Sequence, residues 1–252
     1  MEDHRSSRAG AFRLLPLLVL TAIFAAGCGG GDGTGPGEDP DLLYEESFDS
    51  LEDGALPEEW EVITQEAATE DLPADWKILN RRLHQASNVH APSPNPQLIP
   101  YAPDYEGTIA VVGDTSWVSV SIRVDLIPRD DDGIGVVFRY RDHPTDPDGE
   151  FYRMIMVDDV ASGGPRLRMD KRVDGAWEVI EEIAEPDYGG YDENGRYVVE
   201  IDMVASEFSV RINNQLLFEF SDGSIPRGRV GLFCYGMQGA DFDNIRVYRK
   251  GP

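Results

Sequence analysis

Apolar and polar residues alternate along most of the chain beyond residue 41, and a helical repeat of three to four residues is hard to find there. In the run 116–127, the alternating apolar residues are Val118, Val120, Ile122, Val124 and Leu126. Alternation places these side chains on one face of a strand and the polar ones on the other. Such a strand has to bury its apolar face against another layer, so an all-β sandwich or barrel is predicted.

Short turn sequences separate the predicted strands. Asp174 and Gly175 join two of these runs, and Asn213 and Asn214 join another two. Both dipeptides favour the two-residue turns of β-hairpins, because Asp, Asn and Gly tolerate positive φ angles. The predicted strands cover 116–127, 134–141, 151–157, 166–173, 176–180, 196–204, 207–212, 215–220, 229–235 and 240–248.

The N-terminus has the order of a secretory signal peptide. Residues 1–13 contain three arginines, and an apolar run over 14–26 ends before Gly27 and Cys28. The apolar run contains Pro16 and is short for a transmembrane helix. The sequence therefore predicts export rather than a membrane span.

The junction from Ala25 to Cys28 resembles a bacterial lipobox, with Ala25 where leucine is usual. The resemblance implies cleavage before Cys28, a lipid on its thiol and a location in the bacterial cell envelope outside the cytoplasm, at the outer membrane or cell surface. The alternative is an ordinary cleaved signal with an incidental cysteine. Residues 29–40 are Gly-rich without apolar side chains, as is typical of a flexible tether. The predicted organisation is a signal peptide over 1–27, a tether over 28–41 and a folded domain over 42–249.

Charge and cysteine content exclude several classes of protein. The chain has 22 Lys and Arg against 47 Asp and Glu, a formal net charge of −25. It offers no basic surface to neutralise phosphates, so no nucleic-acid partner is expected. The only cysteines are Cys28, which would carry the lipid, and Cys234, so no disulfide framework is available. Cys234 lies in the apolar run 230–235 and is predicted to be a small buried hydrophobic residue.

Several short motifs are spread over the β-rich part of the chain. They cover 46–49, 54–60, 76–80, 83–85, 133–140, 151–153, 228–232 and 242–247. Together they resemble concanavalin A-like and laminin G-like domains and the related 3-keto-disaccharide hydrolase family. The resemblance implies a concanavalin A-like jelly-roll sandwich of two antiparallel sheets, in which sugar binding is common and structural calcium frequent. These motifs specify a fold rather than an activity.

Two carboxylates near the ends of the β-rich part are candidate calcium ligands. By alternation, Glu46 shares a strand face with Phe48, and Asp243 shares one with Ile245 and Val247. First and last strands of jelly rolls often lie side by side, and buried carboxylates need a partner or a metal. Glu46 and Asp243 are therefore predicted to bind structural Ca²⁺, which prefers oxygen ligands. The alternative is that both lie at a sheet rim and bond to backbone amides or water.

A local group of arginines and a tyrosine is the candidate ligand-binding face. Alternation puts Arg139 and Arg141 on the face opposite Phe138, and the next strand adds Tyr152 and Arg153. Guanidinium groups and aromatic rings suit hydroxyl-rich or carboxylated sugars. The alternative is a set of cross-strand cation–π pairs or salt bridges to acidic loops.

The sequence thus predicts a membrane-anchored lectin-like module without catalytic residues, which binds a glycan or another envelope component. Glu200 and Asp202 resemble the start of the family 16 glycoside hydrolase signature, but Ala205 and Ser206 occupy the place of its last acid. Without that acid, retaining hydrolysis lacks the proton for the leaving group. A glycoside-active enzyme of the 3-keto-disaccharide hydrolase type and a purely structural or adhesion protein stay open as alternatives.

Replacing the lipidation residue, Cys28→Ser, is expected to abolish lipid attachment, because the acceptor thiol is lost. Metabolic labelling with a radioactive fatty acid should mark the natural chain and leave the variant unlabelled, and the variant should move to the soluble fraction. Cys234→Ala is the matched control and should keep the label. A labelled Cys28→Ser protein would contradict the lipobox interpretation.

Overall fold

Two antiparallel β-sheets face each other in the computed structural model, which describes residue 39 and residues 41–70, 73–91, 104–160 and 163–251. Within these ranges no helix is long and apolar enough to cross a membrane. The predicted signal peptide, Cys28 and most of the tether lie outside the described residues.

The described residues form eighteen strands. They are β1 Leu42–Glu46, β2 Gly54–Ala55, β3 Glu61–Thr64, β4 Thr69–Glu70, β5 Trp76–Ile78, β6 Leu83–Gln85, β7 Val89–His90, β8 Thr108–Val112, β9 Val120–Pro128, β10 Gly133–His143, β11 Asp146–Val157, β12 Arg166–Val173, β13 Ala176–Ala184, β14 Tyr197–Val204, β15 Glu207–Ile212, β16 Gln215–Ser221, β17 Arg229–Tyr235 and β18 Ala240–Arg249.

One sheet has nine strands and the facing sheet has seven. The nine-stranded sheet follows the order β16-β15-β14-β9-β18-β6-β5-β2, with β1 paired to β18 beside this path. The seven-stranded sheet follows the order β13-β12-β11-β10-β17-β8-β3, and β4 and β7 form a separate pair. This arrangement confirms the predicted jelly-roll sandwich of two antiparallel sheets.

The predicted hairpin turns are confirmed. Asp174 and Gly175 have φ angles of 50° and 74° between β12 and β13, and Asn213 and Asn214 have φ angles of 51° and 66° between β15 and β16. Two consecutive positive φ angles are the mark of a type I′ turn, whose twist matches that of the flanking strands.

An apolar core fills the space between the two sheets. It includes Ile122 and Val124 from the nine-stranded sheet and Val136 and Met154 from the seven-stranded sheet, each at most 1% exposed. Burying one such side chain contributes about 1.5–3 kcal/mol. Cys234 belongs to the same core, and burial raises the pKa of its thiol, which confirms the prediction of a small buried hydrophobic residue.

The central strands of the seven-stranded sheet are buried on both faces, unlike the half-buried strands that alternation predicts. Its second face carries another apolar cluster, which includes Val137, Ile155 and Phe233. Residues of β10, β11 and β17 are therefore buried in continuous runs. The nine-stranded sheet keeps the alternating pattern, as in β14 and β15. Strands that are buried on both faces typically have continuous apolar runs rather than alternating sequences.

A buried ion network crosses this second face. The carboxylate of Asp170 accepts hydrogen bonds from Nε and Nη2 of Arg153 at 3.0 and 2.7 Å and from Nε of Arg168 at 2.9 Å. Arg153 and Asp170 are each at most 1% exposed. The Arg153 guanidinium also stacks on Trp177, 4.1 Å from the ring centroid, and on Phe233 at 4.5 Å. Burial lowers the pKa of Arg153, and Asp170 opposes that effect.

Removing the charge of this network, Asp170→Asn, is expected to reduce the free energy of unfolding by about 3–5 kcal/mol, because two buried guanidinium groups lose their counter-ion. Urea denaturation measures the change. Asp174→Asn is the control, since that side chain is 82% exposed, and should stay close to the natural protein. A loss below about 1 kcal/mol, the range of surface pairs, would show that the network is not a stabilising centre.

Candidate functional site

The four residues predicted to bind a ligand do not form one surface. Arg139 and Tyr152 lie between the sheets, whereas Arg153 lies in the buried network on the opposite face of the same sheet. Arg141, whose side chain is 40% exposed, pairs with Glu150 and lines an open cavity at the end of the β10–β11 hairpin. Ligand binding by these four residues stays a prediction.

A β-bulge separates Arg139 from Arg141. The register of β10 against both neighbours shifts after Phe138, and Arg139 has a φ of 53°. Its guanidinium consequently lies 4.6 Å from the ring centroid of Phe208 in the inter-sheet core. The prediction that Arg139 lies on the face opposite Phe138 is therefore wrong.

Arg139 connects three separate backbone segments. Its guanidinium donates to the carbonyls of Ile225 at 2.8 Å, Val118 at 3.0 Å and Ala205. Burial lowers the pKa of Arg139, against the opposing effect of Tyr152 and Asp222. The side chain thus has a structural role in joining β10 to the loops around it.

Tyr152 is tied to a charged pair at the edge of the core. Its hydroxyl donates to Oδ1 of Asp222 at 2.6 Å, and Nζ of Lys171 donates to Oδ2 of the same carboxylate at 2.6 Å. Burial on its own would raise the pKa of Asp222, but the hydrogen bonds from Lys171 and Tyr152 outweigh it and hold that pKa well below its usual range.

A groove of about 640 Å³ opens where β14, β15 and β16 run side by side. We call it the acidic groove. Phe208 and Phe220 are among its lining residues, and their rings stack 4.7 Å apart at an interplanar angle of 7° against the inter-sheet core. Phe208 is 3% exposed, whereas Phe220 is half-buried. Its other polar lining residues are Asp202, Glu207, Ser209, Glu219 and Ser221.

Among the described residues, the lining of the acidic groove contains three carboxylates and no Lys or Arg, although Arg211 of β15 lies 3.8 Å from Asp202. Asp202 is held by the hydroxyl of Ser121 and by Nζ of Lys250, 3.0 Å from Oδ1. Burial raises the pKa of Asp202, but these two hydrogen bonds outweigh it and lower the pKa overall. Asp202 is thus a hydrogen-bond acceptor rather than a proton donor.

Sequence reasoning missed Phe208, Phe220 and Glu219 as a site. A regular hairpin extended from the turn at Asn213 would place Phe208 opposite Glu219. An irregularity between Val210 and Arg211 shifts the pairing, so that Phe208 lies opposite Phe220. The aromatic pair depends on this shift, for which the sequence carries no clear signal.

The two predicted calcium ligands have other partners. β1 does pair with β18, as expected of the first and last strands. Oε1 of Glu46 accepts from the backbone N–H of Phe48 at 2.6 Å, and Oδ2 of Asp243 lies 3.7 Å from Nε of Arg82. A register shift after Asp243 separates its side chain from the core face that Ile245 occupies. The prediction that Asp243 shares a face with Ile245 and Val247 is therefore wrong. Calcium binding by Glu46 and Asp243 stays a prediction.

Among the described residues, two other groups bring His, Asp or Glu ligand atoms within 4.8 Å of one another. One group is His143, Glu150 and Asp174, and the other is Asp130, Asp131 and Asp132. Burial, followed by the charges of Asp159, Asp130 and Asp131, raises the pKa of Asp132 to about 7.

No protein-family model and no curated protein sequence matches the chain. Solved structures do match. The carbohydrate-binding module CBM66 from Bacillus subtilis aligns with a TM-score of 0.55 at 14% identity, covering 75% of this chain and 95% of that one. A Bacillus subtilis protein of unknown function with a galectin-like fold aligns at 0.57 and 12% identity, covering 84% and 97%. SCLam, a non-specific endo-β-1,3(4)-glucanase of family GH16, aligns at 0.52 and 10% identity, covering 83% and 91%. These matches establish a jelly-roll fold of the galectin and concanavalin A-like type.

The acidic cluster at Asp132 predicts a pH-dependent stability. Folding raises the pKa of Asp132 from 3.8 to about 7. The contribution of Asp132 to the free energy of unfolding is therefore complete below pH 4 and is lost as the pH rises through 7. The free energy of unfolding of Asp132→Asn should therefore exceed that of the natural chain by about 1–2 kcal/mol at pH 8 and by almost nothing at pH 4. The figure at pH 8 is reduced because the carboxylate is partly solvated.

Thermal and urea unfolding between pH 4 and pH 8 measure this difference. The exposed Asp41→Asn variant is the control and should follow the natural chain at every pH. A difference between Asp132→Asn and the natural chain that does not change with pH would refute the assigned titration.

Proposed function

We propose that the protein is a lectin-like, non-enzymatic module that binds a neutral, hydroxyl-rich glycan in the acidic groove. The groove lined by the half-buried Phe220 and by three carboxylates is the observation that carries the proposal. An aromatic ring offers an apolar platform for the C–H face of a sugar, while carboxylate and hydroxyl oxygens accept hydrogen bonds from sugar hydroxyls.

The charge of the acidic groove narrows the ligand class. Three lining carboxylates, of which only Asp202 has cationic partners among the described residues, would repel uronic or sialic acids, in a chain of net charge −25. The sequence-based hypothesis, which relied on arginines, allowed carboxylated sugars as well. The groove favours uncharged glycans.

The matched folds support sugar recognition without specifying it, since both a carbohydrate-binding module and a glucanase share this architecture. Hydrolysis needs one carboxyl group that keeps its proton. Asp202, with its lowered pKa, does not supply one.

Anchoring belongs to the same proposal. A lipid on Cys28 and a Gly-rich tether would hold the β-sandwich outside the cytoplasm, at the outer membrane or cell surface. There the partner is a glycan or another envelope component. Structural calcium at Glu46 and Asp243 is a separate prediction that a chelator tests.

A glycan-array screen of the protein, with calcium and with a chelator, tests the proposal. Neutral glycans should bind, and Glu219→Gln and Phe220→Leu should each weaken that binding about tenfold, or ~1.4 kcal/mol. Glu181→Gln, on β13 of the other sheet, is the matched control and should bind as the natural chain does. Thermal unfolding of each variant shows that the fold is retained.

Three outcomes would count against the proposal. If the folded protein bound none of the neutral glycans on the array, the proposed lectin function would be wrong. Binding that survives both groove substitutions would move the site elsewhere. Release of shortened sugars from a bound glycan would replace binding with catalysis.

A further inference from the structure

A second cavity opens on the side of the sandwich where the two sheets end, between edge strands β13 and β16. We call it the side cleft; its volume is about 310 Å³. It lies between the sheets and shares no lining residue with the acidic groove.

The inner wall of the side cleft is apolar. Met156 and Leu167, at most 1% exposed, come from the seven-stranded sheet, and the half-buried Ile183 and Leu217 belong to the two edge strands. The volume corresponds to about ten water molecules, and water bound against such side chains has few polar partners. A ligand with an apolar body would displace that water favourably.

Polar groups surround the apolar wall. Tyr188 and Tyr197 line the side cleft together with Asn213 and Gln215. The Tyr197 hydroxyl accepts from the backbone N–H of Asp192 at 2.7 Å, which orients it and leaves its own proton for a ligand. Burial, followed by neighbouring Tyr197 and Asp158, raises the pKa of Tyr188, so its phenol stays neutral.

The charge of its lining residues limits the class of ligand that the side cleft can bind. Among the described residues that line the side cleft, Asp187 is the only charged one, and no Lys or Arg accompanies it. An anionic head group would therefore meet a carboxylate without a counter-ion, whereas an uncharged hydrogen-bond donor would find acceptors.

We propose that the side cleft is a second binding site, which takes an uncharged amphipathic small molecule with an apolar body and a hydrogen-bonding head. The apolar body contacts Leu167, Ile183 and Leu217, and the head reaches Tyr188, Tyr197 and Gln215. This site is independent of the acidic groove and extends the protein's ligands beyond glycans.

A pair of fluorescent probes that differ in charge tests the proposal. N-phenyl-1-naphthylamine is uncharged, and 1-anilinonaphthalene-8-sulfonate has the same ring system with an added sulfonate. Fluorescence titration of the full chain should show saturable binding of the uncharged probe and at least about tenfold weaker binding of the sulfonate.

Filling the cavity supplies the structural control. Leu217→Trp should weaken binding of the uncharged probe at least about tenfold. Leu216→Trp, on the same strand but 43% exposed, should leave it unchanged, as should Glu219→Gln in the acidic groove. All of these variants have the same N-terminal segment, so any probe that binds there adds the same signal to each and does not affect the comparison. Ile183→Trp provides a second filling variant, in case thermal unfolding shows that Leu217→Trp does not fold.

Equal binding of both probes, or equal binding by the filled and control variants, would overturn the proposal. So would concentration-dependent dimers in sedimentation that Leu217→Trp abolishes, since a second copy would then occupy the side cleft. If the protein bound the uncharged probe but no glycan, only the proposed function of the acidic groove would be wrong.

Discussion

Burial of the central strands of the seven-stranded sheet on both faces is the constraint on which the rest of the structure depends. One face packs on the nine-stranded sheet, and the other carries its own apolar cluster. A charged side chain in its central strands therefore has to find a partner inside the protein. Arg153 finds one in Asp170, and Arg139 finds backbone carbonyls. Arg139 and Arg153 are thus structural in the folded chain.

The same constraint leaves recognition to other places. The nine-stranded sheet has one face open to solvent, and its edge hairpin lines the acidic groove together with β14. The sandwich also ends between β13 and β16, where the inter-sheet core is exposed in the side cleft. One cavity combines an aromatic ring with carboxylates and the other combines an apolar wall with phenols, so the two differ in the ligands they favour.

Much of the fold could be predicted from local pattern. Alternation located β9 and the long hairpins, the dipeptides at Asp174 and Asn213 set the turns, and β1 pairs with β18 as the jelly-roll resemblance implied. The candidate site could not be predicted in the same way. Side-chain direction has a period of two, so one extra residue in a strand reverses every face assignment beyond it. Shifts of this kind occur after Phe138, after Asp243 and after Val210, and each changes a residue of interest.

Local sequence pattern is enough to predict a β-sandwich, the position of most strands and the turns between them, because these features follow from interactions between near neighbours. Which face each site residue occupies depends instead on how the two sheets pack. The bulges that orient Arg139, Asp243 and Phe208 are stabilised by contacts with strands and loops distant in the sequence, such as the carbonyls of Val118 and Ile225 around Arg139. Those contacts exist only after the two sheets have packed, so no local pattern contains them.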